Sequence, residues 1–424
     1  MPLPPDLIRK ADPGWPPAVI AGGYRTGVLG VRSLARRGVR AVCVESELHR
    51  DYPGFQSRYG RGYGCPDPDR HPDGWVDFMI GLAGEVGGKP ALIPSADQFV
   101  SAIARHASRL VEHYRLSPGT DLQGQLAIKA SQYDLAARHG MSLPRTALVQ
   151  SAEDVQAFGE SADFPCLLKP LHFREWQGLP DKHPLVGKKV AIAGTVTVLL
   201  EHWRAAAAAG RTAIVQEIIR GPDTMKRVYV ACYDGSGKRT GHAIFRELRC
   251  DPLGFGPATV SEPVEDPEAE AIADGWLRRM GYAGPCEVEM KRDGRDGRVK
   301  LIEANPRLTG GGDAAPHAGV DICWLHYLDL IGQEVKPVDP NGRDFRHVVL
   351  GSDLRAIITY RRAGLLSWKD LVNSYRRPLA FYDLDRGDWR YSLQTLYQMV
   401  RGGAAALLGP GGDPDIVALV KEWT

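Results

Sequence analysis

Short apolar runs open the chain, each broken by glycine and followed by a stretch with helical spacing. Ala18-Val19-Ile20-Ala21 is the first run, and Gly22-Gly23-Tyr24-Arg25-Thr26-Gly27 turns it into a helical pattern that reaches Arg37. Gly38 stops that helix, and residues 39–45 supply a second run with Glu45 at its tip. A helical stretch over 75–84, a run over 91–94 and a helical stretch over 97–114 follow. Apolar strands alternating with helices predict an open parallel sheet. The pattern places its end near Pro118.

Beyond Pro118 the pattern changes. Residues 121–139 are predicted as a helix carrying Lys129, and 144–149 begin a new sheet. Residues 164–170 read as a buried strand that delivers Lys169. The stretch 171–189 is rich in His, Trp, Pro, Gly and Lys and has no clear period, the mark of a lid or loop. Thr195 caps a predicted helix to Ala209, which Gly210 ends, and 212–219 form a strand with a turn at Arg220-Gly221-Pro222-Asp223. Residues 228–233 and 242–248 pair around Asp234-Gly235-Ser236-Gly237. A helix with Pro267 at its first position then runs to Met280. Residues 286–291 and the strand starting at Val299 make a second hairpin.

That last hairpin carries the chemistry. Strand side chains alternate faces, so Glu303 and Asn305 point one way, and Glu289 on the neighbouring strand joins them. Two carboxylates and an amide oxygen are a hard-oxygen set suited to Mg²⁺, with Mn²⁺ as a substitute. Asn305 precedes Pro306, which favours an extended backbone. Arg307 follows with a planar fork for an anion.

Composition narrows the classes. A chain of 424 residues at 43% hydrophobic is long enough for two or three domains. Lys+Arg 53 against Asp+Glu 51 leaves +2, too balanced to indicate nucleic acid. The cysteines at 43, 65, 166, 232, 250, 286 and 323 form no Cys-x-x-Cys pair, which argues against a disulfide framework or a zinc site. The start lacks a secretory pattern, and no apolar run approaches the ~20 residues of a membrane span. The expectation is a reduced, cytoplasmic protein.

Taken in order, these segments resemble the ATP-grasp superfamily, nearest to its carboxylate–amine ligase branch that includes D-aspartate ligases. The resemblance covers roughly residues 15–335. It implies an α/β and α+β protein, with a Rossmann-like domain over 1–118 and an ATP-grasp domain of two lobes over 119–335; beyond about Lys336 the resemblance fades, and the pattern there reads as a mainly helical extension over 336–424. It implies that Lys129 and Lys169 touch ATP phosphates, and that the Gln216 side chain and the Glu217 and Ile219 main chains meet adenine. Asp223 would hold ribose hydroxyls, and Glu289, Glu303 and Asn305 would bind Mg²⁺. Arg307 and Arg249 would face the phosphate or the substrate carboxylate. Glu247 stands where the branch commonly has Lys. The flap after Lys169 departs too: Trp176 and Lys188-Lys189 suggest a different cover, and His172 and Arg174 would touch phosphate or substrate or belong to an ordinary loop. The implied reaction joins small amino-acid-like carboxylates and amines through an acyl phosphate, releasing ADP. The tail would pack over the site or build a homodimer.

Two other functions stay open on the residues alone. One is a non-catalytic ATP-binding subunit. The other is a nicotinamide-dependent oxidoreductase, which rests on the Gly22–Gly27 turn and Glu45, although the expected fingerprint is G-x-G-x-x-G. A P-loop enzyme is disfavoured by the absence of G-x-x-x-x-G-K-[ST].

Overall fold

The computed structural model describes residues 11–408 and 414–423, apart from 13, 50, 51, 172 and 173. Strands β1 (Ala18–Ala21), β2 (Ala41–Ser46), β3 (Arg61–Cys65) and β4 (Ala91–Pro94) form a parallel sheet in the order β3-β2-β1-β4. Its two faces are both buried. Val19 and Ala21 pack with Trp75, Val76 and Met79 of helix Pro72–Val86, while Ala18 and Ile20 pack with Val31 and Leu34 of helix Arg25–Ala35. The edge strand β3 (Arg-Gly-Tyr-Gly-Cys) has no apolar run, so hydrophobic pattern alone passes over it.

A second, antiparallel sheet has the order β5-β8-β6-β7, from β5 (Thr146–Val149), β6 (Cys166–Pro170), β7 (Ala191–Ala193) and β8 (Ala213–Glu217). Cys166, Leu168, Ala213 and Val215 face helices Ala152–Gly159 and Val196–Ala208, meeting Val155, Phe158, Leu199 and Ala206. Leu167 and Lys169 therefore face the other way. Thr195 caps the second of these helices by accepting from the Val198 amide, as expected.

The largest sheet runs β13-β12-β9-β10-β11-β14-β15. Its strands are β9 (Lys226–Tyr233), β10 (Arg239–Cys250), β11 (Ala258–Pro263), β12 (Gly284–Arg292), β13 (Val299–Asn305), β14 (Arg346–Val348) and β15 (Leu379–Phe381). Tyr229, Ala231, Tyr233, Val288 and Met290 bury one face with Trp276 and Leu277 of helix Pro267–Arg279. Register puts Lys226, Val228, Val230 and Cys232 opposite Lys291, Glu289, Glu287 and Pro285 on the other face. Toward Cys232 that face is apolar and packs on helix Ile322–Leu330 and the first sheet. Toward Lys226 it becomes charged, which opens a polar cleft at one end of a continuous core.

Two expectations change here. Residues 121–139 are not one helix: Thr120–Leu126 ends, and Lys129 begins a new helix, Lys129–Arg138. Gln132 makes the break, donating to the Leu126 and Ala304 carbonyls (2.7 and 2.6 Å) and accepting from the Ala304 amide (2.9 Å). The tail, expected to be mainly helical, also adds β14 and β15 to the large sheet, pairing on β11 through Val260–Val348. Each is only three residues long, too short for a periodic signal.

Candidate active site

Five strands and one helix start bring the candidate residues to the cleft. Glu289 and Glu303 are direct cross-strand partners, and so are Glu287 and Asn305. Lys129, at the first turn of its helix, reaches Glu303 (3.9 Å) because Gln132 and the Tyr133 hydroxyl, which donates to the Ile302 carbonyl (2.8 Å), fix that helix on β13. From the facing sheet, Lys169 donates to the Gln216 side-chain oxygen (2.6 Å), and Gln216 in turn donates to the Thr146 hydroxyl (2.8 Å). The Gln216 amide thus aims Lys169 across the cleft.

The charges are mutually tuned. Burial pulls the Lys169 ammonium down to about 8, against the pull of Glu303 and Glu289. Burial would raise Glu303, yet Lys129, Lys189, Lys169 and Arg307 together hold it at about 2. Glu289 is driven far above the ordinary carboxylate range by burial and by the facing charges of Glu303 and Glu287. Three carboxyl groups on one patch leave a place that favours positive charge.

Arg307 does not face open space. It forks onto Asp97, at the start of helix Asp97–Arg105 in the first sheet's unit (2.5 and 3.1 Å), and donates to the Asn305 oxygen (3.1 Å). Glu287, which pattern reading left out, accepts from the Thr309 hydroxyl (2.7 Å) and the Gly311 amide (3.1 Å), shaping the turn after β13. Its signal was present in Cys-Glu-Val-Glu, where period two places Glu287 on the face of Glu289.

Other expected residues are placed differently. Asp223 is buried: Lys226 sits 3.2 Å from one oxygen, while the Tyr360 hydroxyl (2.5 Å) and the Cys250 thiol (3.3 Å) donate to the other. Lys226 and Tyr360 hold its carboxyl at about 2 in spite of burial, and both of its oxygens are engaged by protein groups. Arg249 is enclosed as well, donating to both oxygens of Asp353 (2.9 and 2.8 Å) and to Ser374 (3.0 Å). Its guanidinium is consumed by the tail rather than presented to a substrate. Glu247 makes a buried ion pair with Lys226 (3.0 Å).

In the hinge, residues 216–219 between the small sheet and the large one, the Glu217 amide donates to the Arg145 carbonyl (2.9 Å) and its carboxylate lies 3.4 Å from Arg295, which also donates to the Ile218 carbonyl (3.0 Å). Ile219 is buried beside this clamp. Arg295 belongs to the β12–β13 turn, so the hinge is tied to the large sheet by a residue whose local sequence indicates only a turn. Trp176 is fully buried in the core of the small lobe with Leu179 and Leu185. It is not a movable cover. His172 lies outside the described residues, as does the side chain of Arg174.

Glu45 answers the dinucleotide reading. Its two oxygens accept from the amides of Gly23, in the turn after β1, and of Ser46, its neighbour on β2 (both 2.8 Å). A Cβ at Gly27 would stand 1.8 Å from the Gly22 carbonyl oxygen, so these glycines serve close strand–helix packing. Among the described residues, no group of three or more His, Cys, Asp or Glu side chains is arranged to hold a metal ion. The candidate set is two acids and an amide.

Comparison with known proteins agrees with this geometry. The chain is 27% identical to D-aspartate ligase of Enterococcus faecium over 258 residues, covering 57% of this chain and 59% of that protein. It is 32% identical to D-alanine–D-alanine ligase of Stutzerimonas stutzeri over 196 residues, covering 44% of this chain and 58% of that protein. Among solved structures, N5-carboxyaminoimidazole ribonucleotide synthetase with ADP superposes with a TM-score of 0.59 at 16% identity, over 78% of this chain and 80% of that one. The chain has the ATP-grasp fold. L-amino acid ligase of Bacillus licheniformis shares it, with a TM-score of 0.57 at 14% identity over 76% of this chain and 78% of that one. The chain spans less than two thirds of the length of the curated relatives it matches. No protein-family model matches it.

Proposed function

We propose that this ATP-grasp chain is an ATP-dependent carboxylate–amine ligase acting on small amino-acid-like substrates. The observation that carries the reading is the convergence of Lys169 and Lys129, from separate elements, on the paired Glu289 and Glu303 across one cleft. The relatives named above are ligases, which supports the same class. Hinge residues Gln216, Glu217 and Ile219 border the adenine end. The two ammonium groups neutralise phosphate charge, and Arg307, held beside them by Asp97 and Asn305, adds positive charge at the end where the group is transferred. The crowded carboxyls fit a hard divalent cation, because a positive ion among Glu289, Glu303 and Asn305 relieves the repulsion that drives Glu289 upward. When bound there, Mg²⁺ supplies charge neutralisation to the phosphate oxygens. A substrate carboxylate then takes the γ-phosphoryl group, and the amine displaces phosphate to give the amide. The seven cysteines are unpaired and buried, which supports a cytoplasmic setting; no helix among the described residues is long and apolar enough to cross a membrane.

The test is product analysis with a panel of amino acids and small carboxylates, with hydroxylamine as surrogate amine. ADP, phosphate and an acyl hydroxamate are expected. AMP with pyrophosphate, or no acid-dependent turnover, would overturn the reading.

A pH prediction follows from Lys169. Its folded pKa of about 8 lies below the ordinary lysine value, so the ammonium is present below pH 8 and lost above it. ATP affinity should fall as pH rises from 7 to 9.5, and Lys169→Met should both weaken binding and remove the step. A step that persists in that variant would assign the titration to another group.

A further inference from the structure

Helix Pro414–Trp423 touches both the small sheet, through Leu167, and the large sheet, through Lys291. Leu419 is buried against Leu167 and Ile218, with Val190, Ile192, Phe255 and Trp423 around them. Leu167 shares its strand face with Lys169, two residues on, and Ile218 belongs to the hinge. On the opposite wall, the Trp423 ring sits 4.9 Å from the Lys291 ammonium. Lys291 shares its strand face with Glu289 and Glu287. The helix thus touches both surfaces that present the phosphate-end residues, on the side of the hinge.

Its neighbour residues face elsewhere. Val420 packs with Leu253, Ala356, Tyr360 and Leu366, and a Cβ on Gly254 would come within 3.0 Å of it. Gly254 has φ +76, a conformation that glycine adopts freely, and it lets the helix approach the backbone. Tyr360, in contact with this cluster, is the residue that donates to Asp223. The tail is therefore seated by apolar contacts on one side, and its Leu419–Trp423 edge projects toward the apolar end of the cleft.

We propose that this edge is a resident occupant of the adenine pocket, so that the C-terminal helix and the nucleotide compete for one place. The inference rests on the nucleotide reading of the cleft given above. Leu167 and Ile218, with Val190 and Ile192 around them, provide an apolar lining next to hinge main chain, which is what a purine ring needs, and Leu419 packs on it. Nucleotide binding then requires the helix to withdraw, and apparent affinity is reduced by the fraction of time the helix is seated.

Calorimetric titration of ATP and Mg²⁺ into the 424-residue chain and three variants of it tests this. Leu419→Asp introduces a charge into the apolar lining and should tighten ATP binding by about tenfold, the ratio matching the loss of one buried leucine contact. Trp423→Ala should tighten it less, and Ala418→Asp, at an exposed position on the same helix, should leave it unchanged. In the unaltered chain, amide hydrogen exchange over 414–423 should rise when ATP and Mg²⁺ are added. Equal or weaker binding by both Leu419→Asp and Trp423→Ala, or stronger protection of the helix with nucleotide, would make the helix a wall of the site and overturn competition. Absence of binding in every chain would remove the nucleotide reading itself, and the competition with it.

Discussion

Glu303→Gln should abolish turnover while leaving the fold intact. Glu303 is partly exposed in the cleft, and its nearest cation, Lys129, is 3.9 Å away. The side chain therefore contributes little packing, and an amide of the same shape is accommodated. What disappears is a charge that four cations hold ionised at about 2, far below neutral pH. Without it the cleft loses one of two facing carboxylates, and any divalent ion loses its most anionic ligand. Removing one preorganised electrostatic group from a site commonly costs about 10²–10³ in rate, and a loss of at least about a hundredfold is expected here. Steady-state ADP release and a thermal melt, run on the same sample, check both halves. Near-parental turnover at ordinary Mg²⁺ would reduce Glu303 to a hairpin residue.

Asp353→Ala should be the most damaging single change to stability. Asp353 is fully buried and accepts two hydrogen bonds from Arg249, one from Thr259 (2.7 Å) and one from Tyr375. Removing it strands a guanidinium that is itself 2% exposed. Breaking a buried pair from one side costs roughly 3–5 kcal/mol, because the remaining charge keeps its desolvation penalty. The double variant Arg249→Met, Asp353→Leu should recover most of that loss, since no unpaired charge remains. Denaturant unfolding of the parent chain and the two variants measures the difference. If Arg249 served the reaction instead, the double variant would fold but be inactive. If the pair only joins the tail to the sheet, activity returns with stability.

The core of the site was legible because it is local. Glu289, Glu303 and Asn305 lie on two strands joined by a short turn, so alternation alone puts them on one face, and Arg307 follows two residues past the second strand. Lys169 was legible for a similar reason, as a charge inside an apolar strand. Glu287 obeyed the same rule and was passed over in favour of its neighbour. Asp97, Arg295 and Tyr360 were beyond reach of pattern: each acts on a partner far along the chain, and nothing in its surroundings indicates which one.

Asp223 and Arg249 show where motif position misleads. Both stand in segments whose order matches the resemblance, yet each is enclosed by a side chain of the tail, Tyr360 and Asp353 respectively. Motif spacing describes the strand that carries a residue, while burial depends on what later covers that strand. In this chain the covering elements come from residues 346–423, where the resemblance had ended.

The sequence by itself determined the alternation of strands and helices in the front sheet, the hairpin that pairs Glu289 with Glu303, and the two cleft lysines. These follow from periods of 2 and 3.6 and from turn residues, which act over a few positions. Tertiary structure alone decided that Gln216 aims Lys169, that Arg307 is braced by Asp97, and that the tail lends strands to the large sheet and a helix to the cleft. Those outcomes depend on which distant surfaces exclude water from one another, and burial of that kind has no signature along the chain.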